Sequence, residues 1–235
     1  MGRYSLGKRG MADLSTLNPS RFSDRYYHLS LLAAEMRSIV KRYLHGRSNL
    51  VLVDYGCGSR PYSSLFAPHL DRYIGIDLPH NDSADLKVPF ELALPLPDAS
   101  ADVVLSTQVL EHVDDPDHYL KECYRVLKHN QFLILSTHGY WLYHPDPTDL
   151  WRWTGPGLRK VIERSGFRIL QCEGLMGVAS SGAHLLQDGI NRRLPGPARP
   201  LFSFIAQIIV ALCDKLSLPA ERTNDACVFV IVATK

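Results

Sequence analysis

The segment Val51-Leu52-Val53-Asp54-Tyr55-Gly56-Cys57-Gly58-Ser59-Arg60-Pro61 constrains this chain more than any other. A short β-branched run that stops at an acid and a Gly-x-Gly turn reads as a strand handing over to a helix. It brings bare backbone N–H groups to the positive end of that helix, where an anionic ligand group is stabilised. A second run, Arg72-Tyr73-Ile74-Gly75-Ile76-Asp77, also ends in an acid. That acid stands about 20 residues beyond the glycines, where a carboxylate accepts both ribose hydroxyls of an adenosine. Either feature alone is compatible with a plain turn. Together, at this spacing, they point to a nucleoside-containing ligand.

The rest of the chain continues the alternation. Ser23 to about His45 carries Leu29, Leu32, Ala33, Met36, Ile39, Val40, Tyr43 and Leu44 at helical spacing, with Gly46 as a stop. Ala101 to Ser106 reads as a strand. A helix follows, opened by Asp114 or Asp115 with Pro116 in its first turn and ended by Asn130. Gln131 to Ser136 is another strand, Thr154 caps a helix that Gly166 ends, and Phe167 to Cys172 is the next strand. The rhythm breaks after Glu173. Gly174 to Leu194 is mixed and polar, Pro195 to Pro200 is a turn, Leu201 to Leu216 is helical, and Ala226 to Ala233 is strongly strand-forming. The alternation reads as a doubly wound α/β sheet, mostly parallel, whose last strand, separated by helices from the one before it, can insert between its neighbours as an antiparallel member. Helical additions are expected at the N-terminus and before the last strand. The expected division is an arm over residues 1–21 and a single domain over 22–235. Within it lie a cofactor core (48–172), a helical cap (174–216) and a final strand (226–233).

Composition narrows the partners. With 26 Lys plus Arg against 24 Asp plus Glu, 46% hydrophobic and 21% charged residues, the chain is neither disordered nor a coiled coil. It also lacks the basic excess of a phosphate-dominated nucleic-acid binder, so no nucleic-acid partner is expected. Cys57, Cys123, Cys172, Cys213 and Cys227 are odd in number and widely spaced, and they read as reduced residues. Residues 1–10 contain no apolar run suited to a signal peptide, which gives a cytoplasmic expectation. The apolar run Leu201 to Cys213 falls short of the ~20 residues of a spanning helix. Its Leu201, Phe202, Phe204, Ile205, Ile208, Ile209 and Leu212 are expected in the core first. A homodimer contact comes second, and contact with a lipid-linked substrate or a membrane surface third.

Two details separate cofactor classes. A dinucleotide site usually carries a third glycine where this chain has Pro61, which counts against NAD. Asp54 sits awkwardly beside a pyrophosphate but suits the ammonium of an amino-acid moiety. The motifs Val53 to Gly58, Gly75-Ile76-Asp77, Leu94 to Val104, Val109 to Val113 and Glu122 to Lys128 occur in order. With them the chain resembles class I S-adenosylmethionine-dependent methyltransferases over roughly residues 48 to 172, in particular the branch with small-molecule and lipid-like substrates. The resemblance implies a Rossmann-like sheet of seven strands, and S-adenosyl-L-methionine as cofactor. Gly56 and Gly58 would lie beside its methionine part, Asp54 would orient it, Asp77 would bind its ribose and Leu78 would flank its adenine. Either Phe90 or Glu91 would take the family's acidic adenine-binding place. Thr107 and Gln108 would line the floor near the sulfonium.

The stretch Thr137 to Thr154 follows the fifth strand at the carboxyl edge of the sheet, where such folds bind ligands. It holds all three tryptophans. Its functional reading is an acceptor site. Tyr140, Trp141 and Tyr143 would offer aromatic faces to a ring or sugar, and Asp149 and Arg152 would offer polar contacts. His144 is the favoured base and His138 the second. The alternative is a structured loop in which Asp149 and Arg152 pair locally. The pattern His144-Pro145-x-Pro147-x-Asp149-x-x-Arg152-Trp153-Thr154 is similar to one in methyltransferase-like proteins of bacterial glycan and secondary-metabolite pathways. That resemblance leans the acceptor towards a sugar or another hydroxylated small molecule, with Arg152 on an anionic substituent. No metal is expected: metal-dependent O-methyltransferases place acids at the ends of the fourth and fifth strands, and this chain has Thr107-Gln108 and Thr137-His138 there. A set of His138, His144, Asp146 and Asp149 is the minority reading. His112 reads as packing or helix start at least as well as catalysis. The reading is therefore methyl transfer to a small hydroxylated acceptor by O-methylation, with C- and N-methylation open. An NAD-dependent oxidoreductase and a catalytically silent cofactor-binding regulator are the alternatives.

Overall fold

The computed structural model describes residues 16–145 and 147–235. Seven strands form one sheet: β1 Leu50–Tyr55, β2 Leu70–Asp77, β3 Leu86–Lys87, β4 Ala101–Thr107, β5 Leu127–His138, β6 Arg168–Leu175 and β7 Val228–Thr234. Their order is β3-β2-β1-β4-β5-β7-β6. The β1–β2, β1–β4, β2–β3 and β4–β5 pairs are parallel, and β7 lies antiparallel between β5 and β6. The central strands read as β-branched runs because both their faces are covered. Alternate residues go to opposite layers: Val53, Tyr55, Ile74, Ile76, Val104, Leu133 and Leu135 join one core, and Leu50, Leu52, Val103, Leu105 and Ile134 join the other.

The first core is covered by α3 Pro116–Val126 and α4 Gly155–Arg164. Both start where the sequence places caps. The Asp115 carboxylate accepts from the N–H groups of Asp117 and His118, at 3.0 Å each, and the Thr154 hydroxyl accepts from Gly157 N–H. The α3 helix stops at Val126, not at Asn130. Leu127 is already strand, and Asn130 takes a left-handed turn (φ +59°) inside β5. A local polar signal marked a bend in the strand instead of the helix end.

The second core is covered by α1 Tyr26–Tyr43, which contributes Leu32, Ala33, Met36, Ile39 and Val40. Between β1 and β2 lies α2 Ser63–Phe66. After β6 come α5 Val178–Asn191, α6 Arg199–Asp214 and a short α7 Pro219–Arg222. Residues 1–15 of the expected arm lie outside the described residues. Leu17, at its inner end, is buried in the second core, and its carbonyl accepts from Arg37 at 2.7 Å.

The α5–α6 pair departs from the expected core role of Leu201 to Leu212. Its inward residues are mostly polar: Ser180, Ser181, His184, Gln187, Asp188 and Asn191 on α5, with Ser203, Gln207 and Asp214 beside Ala206 and Val210 on α6. Leu201, Ile205, Ile208, Ile209 and Leu212 face outward. The reason is a network that pairs most of the inward groups, leaving His184 Nδ1 and Asn191 Oδ1 without partners. Gln207 accepts from Tyr27 N–H and donates to Gln187, Asn191 donates to Ser203, and Asp214 accepts from Gly177 N–H and Ser180.

Candidate functional site

The carboxyl ends of β1, β2, β4 and β5 converge on one edge, and the chemistry-bearing residues gather there. At the end of β1, Gly56 and Gly58 take φ values of +83° and +51°, the left-handed region that glycine enters without a Cβ penalty. Gly56 and Cys57 donate to the Ile76 carbonyl at 2.8 and 3.0 Å, which binds the turn to β2. A Cβ on Gly56 would stand 2.3 Å from Val109 Cγ2, whereas one on Gly58 would meet open space. Gly58 is therefore the bare wall of a cradle.

Asp54 is 1% exposed. One oxygen accepts from the Tyr73 hydroxyl, and Oδ1 has no partner. Burial pushes its carboxyl up to about 7, against the opposing pull of the Tyr73 hydrogen bond. An orphaned, buried carboxylate oxygen beside a glycine cradle is what an ammonium group requires. Asp77, at the end of β2, holds the cradle's other side. It accepts from Gly58 N–H at 2.7 Å, Leu78 N–H at 2.7 Å and Asn81 at 2.6 Å. Leu78 is half-buried behind it. Phe90 is buried against Tyr55 and Tyr119, which leaves the exposed Glu91 as the one of the two open to a ligand. On the floor, Thr107 is half-buried at the end of β4. Gln108 (φ +57°) donates to Ser136 and keeps a buried Oε1 without a partner.

Beside this cradle lies a histidine and tryptophan cluster. His138, at the end of β5, places Nδ1 2.6 Å from Oε1 of Glu111, close enough for an ion pair though off the line of a hydrogen bond. Glu111 is fully buried and accepts from Thr137 at 2.7 Å. Burial opposes its ionisation, but His138 and the hydrogen bonds outweigh burial and hold its carboxyl below the ordinary range. Trp141 stacks on His138 at 4.5 Å, with the Arg25 guanidinium 4.7 Å from its ring. His144 stands edge-on to His138 at 4.9 Å. Its Nδ1 lies 3.0 Å from the Leu142 carbonyl and 3.2 Å from Asp149. A carbonyl oxygen only accepts, so Nδ1 carries the proton and Nε2 keeps its lone pair. Burial lowers the His144 pKa further, helped by His138, so the ring is neutral at physiological pH.

Asp149 and Arg152 pair locally, as in the alternative reading of the loop. Arg152 meets Asp149 with two bonds of 2.6 Å and donates to the carbonyls of Trp141, Leu142 and Trp151. Its Nε, Nη1 and Nη2 all have partners inside the loop, and the Asp149 carboxyl is held down at about 2. The pair fixes the loop and presents His144. Tyr140 is exposed and donates to Asp225, and Tyr143 projects into solvent. The loop is bolted to the segment after β4, with Leu150 N–H and Trp151 N–H on the Glu111 carbonyl.

Two buried residues of this cluster escaped the sequence reading. Glu111 lies among buried Val109, Leu110 and Val113, and its charge in that apolar company was the available signal. His28 is buried on α1 with neither nitrogen partnered, 4.7 Å from Trp141. It continues the Leu32–Met36 spacing one turn upstream. Burial drives its pKa well below the usual value. For cations, one ligating atom from each of Glu111, His138 and His144 lies within 4.8 Å of the others, as for His112, His144 and Asp149. The carboxylates of both sets already face His138 or Arg152, and a metal would compete with those pairs. Asp146 lies outside the described residues.

The sheet order and the cradle define a class I, Rossmann-like methyltransferase fold with a site for an amino-acid nucleoside. Residues 28–171 match the family described as "Methyltransferase domain", and the chain belongs to it. Its cofactor is S-adenosyl-L-methionine. A protein of Mycolicibacterium smegmatis named "Probable S-adenosylmethionine-dependent methyltransferase" is 29% identical over 60% of this chain and 59% of its own length. The chain thus spans less than two thirds of that relative. Among solved structures, a SAM-dependent methyltransferase from Archaeoglobus fulgidus superposes with a TM-score of 0.58 at 18% identity, covering 94% of this chain and 97% of that one. The cyclase SpnF superposes with a TM-score of 0.59 at 20% identity, covering 91% and 85%.

Proposed function

We propose that this chain transfers a methyl group from S-adenosyl-L-methionine to a hydroxyl of a small acceptor, a sugar or another hydroxylated metabolite, in a cytoplasmic setting. The observation that carries the reading is the neutral His144, with Nδ1–H committed to Leu142 and Nε2 free, beside the cofactor cradle. The cofactor supplies an electrophilic methyl group. Asp54 would receive its ammonium, Gly58 would leave room for its methionine part, and Asp77 would exchange its Gly58 and Asn81 contacts for the ribose hydroxyls. Displacement at a methyl carbon needs its partners in line, and the loop clamped by Arg152 and Asp149 holds the acceptor side. A hydroxyl must shed its proton as the new bond forms, and His144 Nε2 is the accessible group that takes it. His138, stacked under Trp141 and fixed by Glu111, supports His144 edge-on.

The test pairs calorimetric cofactor binding with S-adenosylhomocysteine release over a panel of hydroxylated acceptors. His144→Ala is expected to lower turnover roughly 100-fold or more with cofactor affinity unchanged; unchanged turnover removes it as base. A second reading takes support from SpnF, which shares the fold and is named a cyclase. It predicts cofactor binding without S-adenosylhomocysteine release from any acceptor.

A further inference from the structure

The α5–α6 pair has its polarity reversed, with hydrogen-bonding side chains inside and aliphatic side chains outside. Leu186, Ile190, Leu201, Ile205, Ile208, Ile209, Leu212 and Leu216 are all exposed, by 48% at Ile208 and 72% at Leu216. Phe22, 58% exposed, packs on Phe204 and extends the surface. A contiguous apolar surface of this size marks an interaction site.

The charges beside it identify the occupant. Between residues 186 and 218 the exposed charged side chains are Arg192, Arg193, Arg199 and Lys215. The acids of that stretch, Asp188 and Asp214, are buried and paired with Arg25 and Arg222. At the tip, Arg192, Arg199 and Arg25 line a cavity of about 130 Å³ together with Asp24, Asp188 and Asn191. Arg192 has no ion-pair or hydrogen-bond partner for its guanidinium among the described residues, and Arg199 uses only its Nε, on the Leu194 carbonyl. The cavity holds several times the ~30 Å³ share of one water, room for a phosphate group.

We propose that the outer face of α5–α6 is a membrane-docking surface for anionic phospholipid. The aliphatic row sits at the acyl boundary, and Arg192, Arg193, Arg199 and Lys215 meet headgroup phosphates. The helix lies on the bilayer and does not cross it. The stretch Gly196–Asp214 has the length and mean hydropathy of a span, yet its Ser203, Gln207 and Asp214 are bonded to α1 and α5, and removing them would orphan those partners.

The experiment uses the full chain and vesicles of phosphatidylcholine with or without phosphatidylglycerol, read by co-sedimentation and by energy transfer from the native tryptophans to a dansyl lipid. Binding to anionic vesicles is expected to exceed binding to neutral ones by roughly tenfold or more. Arg192→Gln with Arg199→Gln should abolish that preference. Ile205→Gln with Ile209→Gln should weaken binding roughly tenfold or more at unchanged charge. Ile209→Ser is the milder substitute should the pair fail to fold. The proposal is overturned by no association with anionic vesicles, by association indifferent to these substitutions, or by a dimer in sedimentation velocity that buries the face and ignores vesicles. Saturable binding of free glycerol phosphate without vesicle binding also overturns it, assigning the cavity to a soluble phosphate. None of these readouts involves methyl transfer, so the catalytic proposal stands or falls separately.

Discussion

Substituting Gly56 by alanine tests the cradle where its geometry is most demanding. The new Cβ would lie 2.3, 2.8 and 3.1 Å from Cγ2, Cγ1 and Cβ of Val109. Val109 is itself buried, and in any rotamer its Cβ stays 3.1 Å from the new methyl, tighter than ordinary contact. The backbone at φ +83° adds the left-handed cost of roughly 1–2 kcal/mol. Overpacking adds about 1–3 kcal/mol, so the sum is about 2–5 kcal/mol. For a domain of this size each kcal/mol moves Tm by about 2–4 °C, which gives a fall of about 4–20 °C. Gly58→Ala is the internal control. It carries a left-handed cost (φ +51°) but meets no atom within 4 Å, so it should melt about 2–8 °C below wild type and lose cofactor affinity because its Cβ enters the cradle. The assay is thermal denaturation with and without S-adenosylmethionine, beside calorimetry. Gly56→Ala melting within about 2 °C of wild type, or equal shifts in the two variants, refutes the reasoning.

Further outcomes follow from the same site. Because the folded Asp54 carboxyl is raised to about 7, the native state binds a proton that the unfolded chain has lost between about pH 4 and 7. Its contribution is present on the acid side and is lost as pH rises through 7. Asp54→Asn should therefore be more stable than wild type at pH 8 by about 2–4 kcal/mol, with the gap closing towards pH 4, while binding cofactor less well; a gap that widens towards acid contradicts this. Glu111→Ala removes one side of a buried pair and should cost about 3–5 kcal/mol in chemical denaturation, with Glu111→Gln costing less. Arg152→Ala should raise hydrogen exchange across residues 141–151 and depress turnover at unchanged cofactor affinity. Arg152→Lys should not restore turnover, because an ammonium cannot reproduce the two-pronged contact with Asp149.

Much of the sheet was legible because its signals are local. The acids and glycines after β1 and β2, the cap at Thr154 and the β-branched run ending in Ala233 each announce their element within a few residues. The insertion of β7 between β5 and β6 was also readable, from the helical separation that precedes it. What escaped depends on partners far away in sequence. Glu111 acquires its meaning from His138, and His28 from Trp141. Arg152 looked free to hold a ligand because its consumption by the Trp141, Leu142 and Trp151 carbonyls is a property of the folded loop. The apolar residues of α6 were assigned inward on hydrophobicity alone. The face that packs was chosen by Ser203, Gln207 and Asp214, whose bonds to Tyr27, Gln187 and Gly177 only the fold discloses.

The place of β7 has a consequence for synthesis. Strands β5 and β6 touch through β7 alone, so the wall carrying Thr137 and His138 keeps an open backbone edge until residue 234 has left the ribosome. During that interval β5 offers unpaired N–H and C=O groups to any passing strand, and closing the gap joins segments about a hundred residues apart, a slow step for a growing chain. The wall carrying Thr137 and His138 is thus the last part of the sheet to be sealed. A nascent chain stalled before Val228 would expose β5 as an adhesive edge, although the nucleoside cradle on β1 and β2 would already have been made.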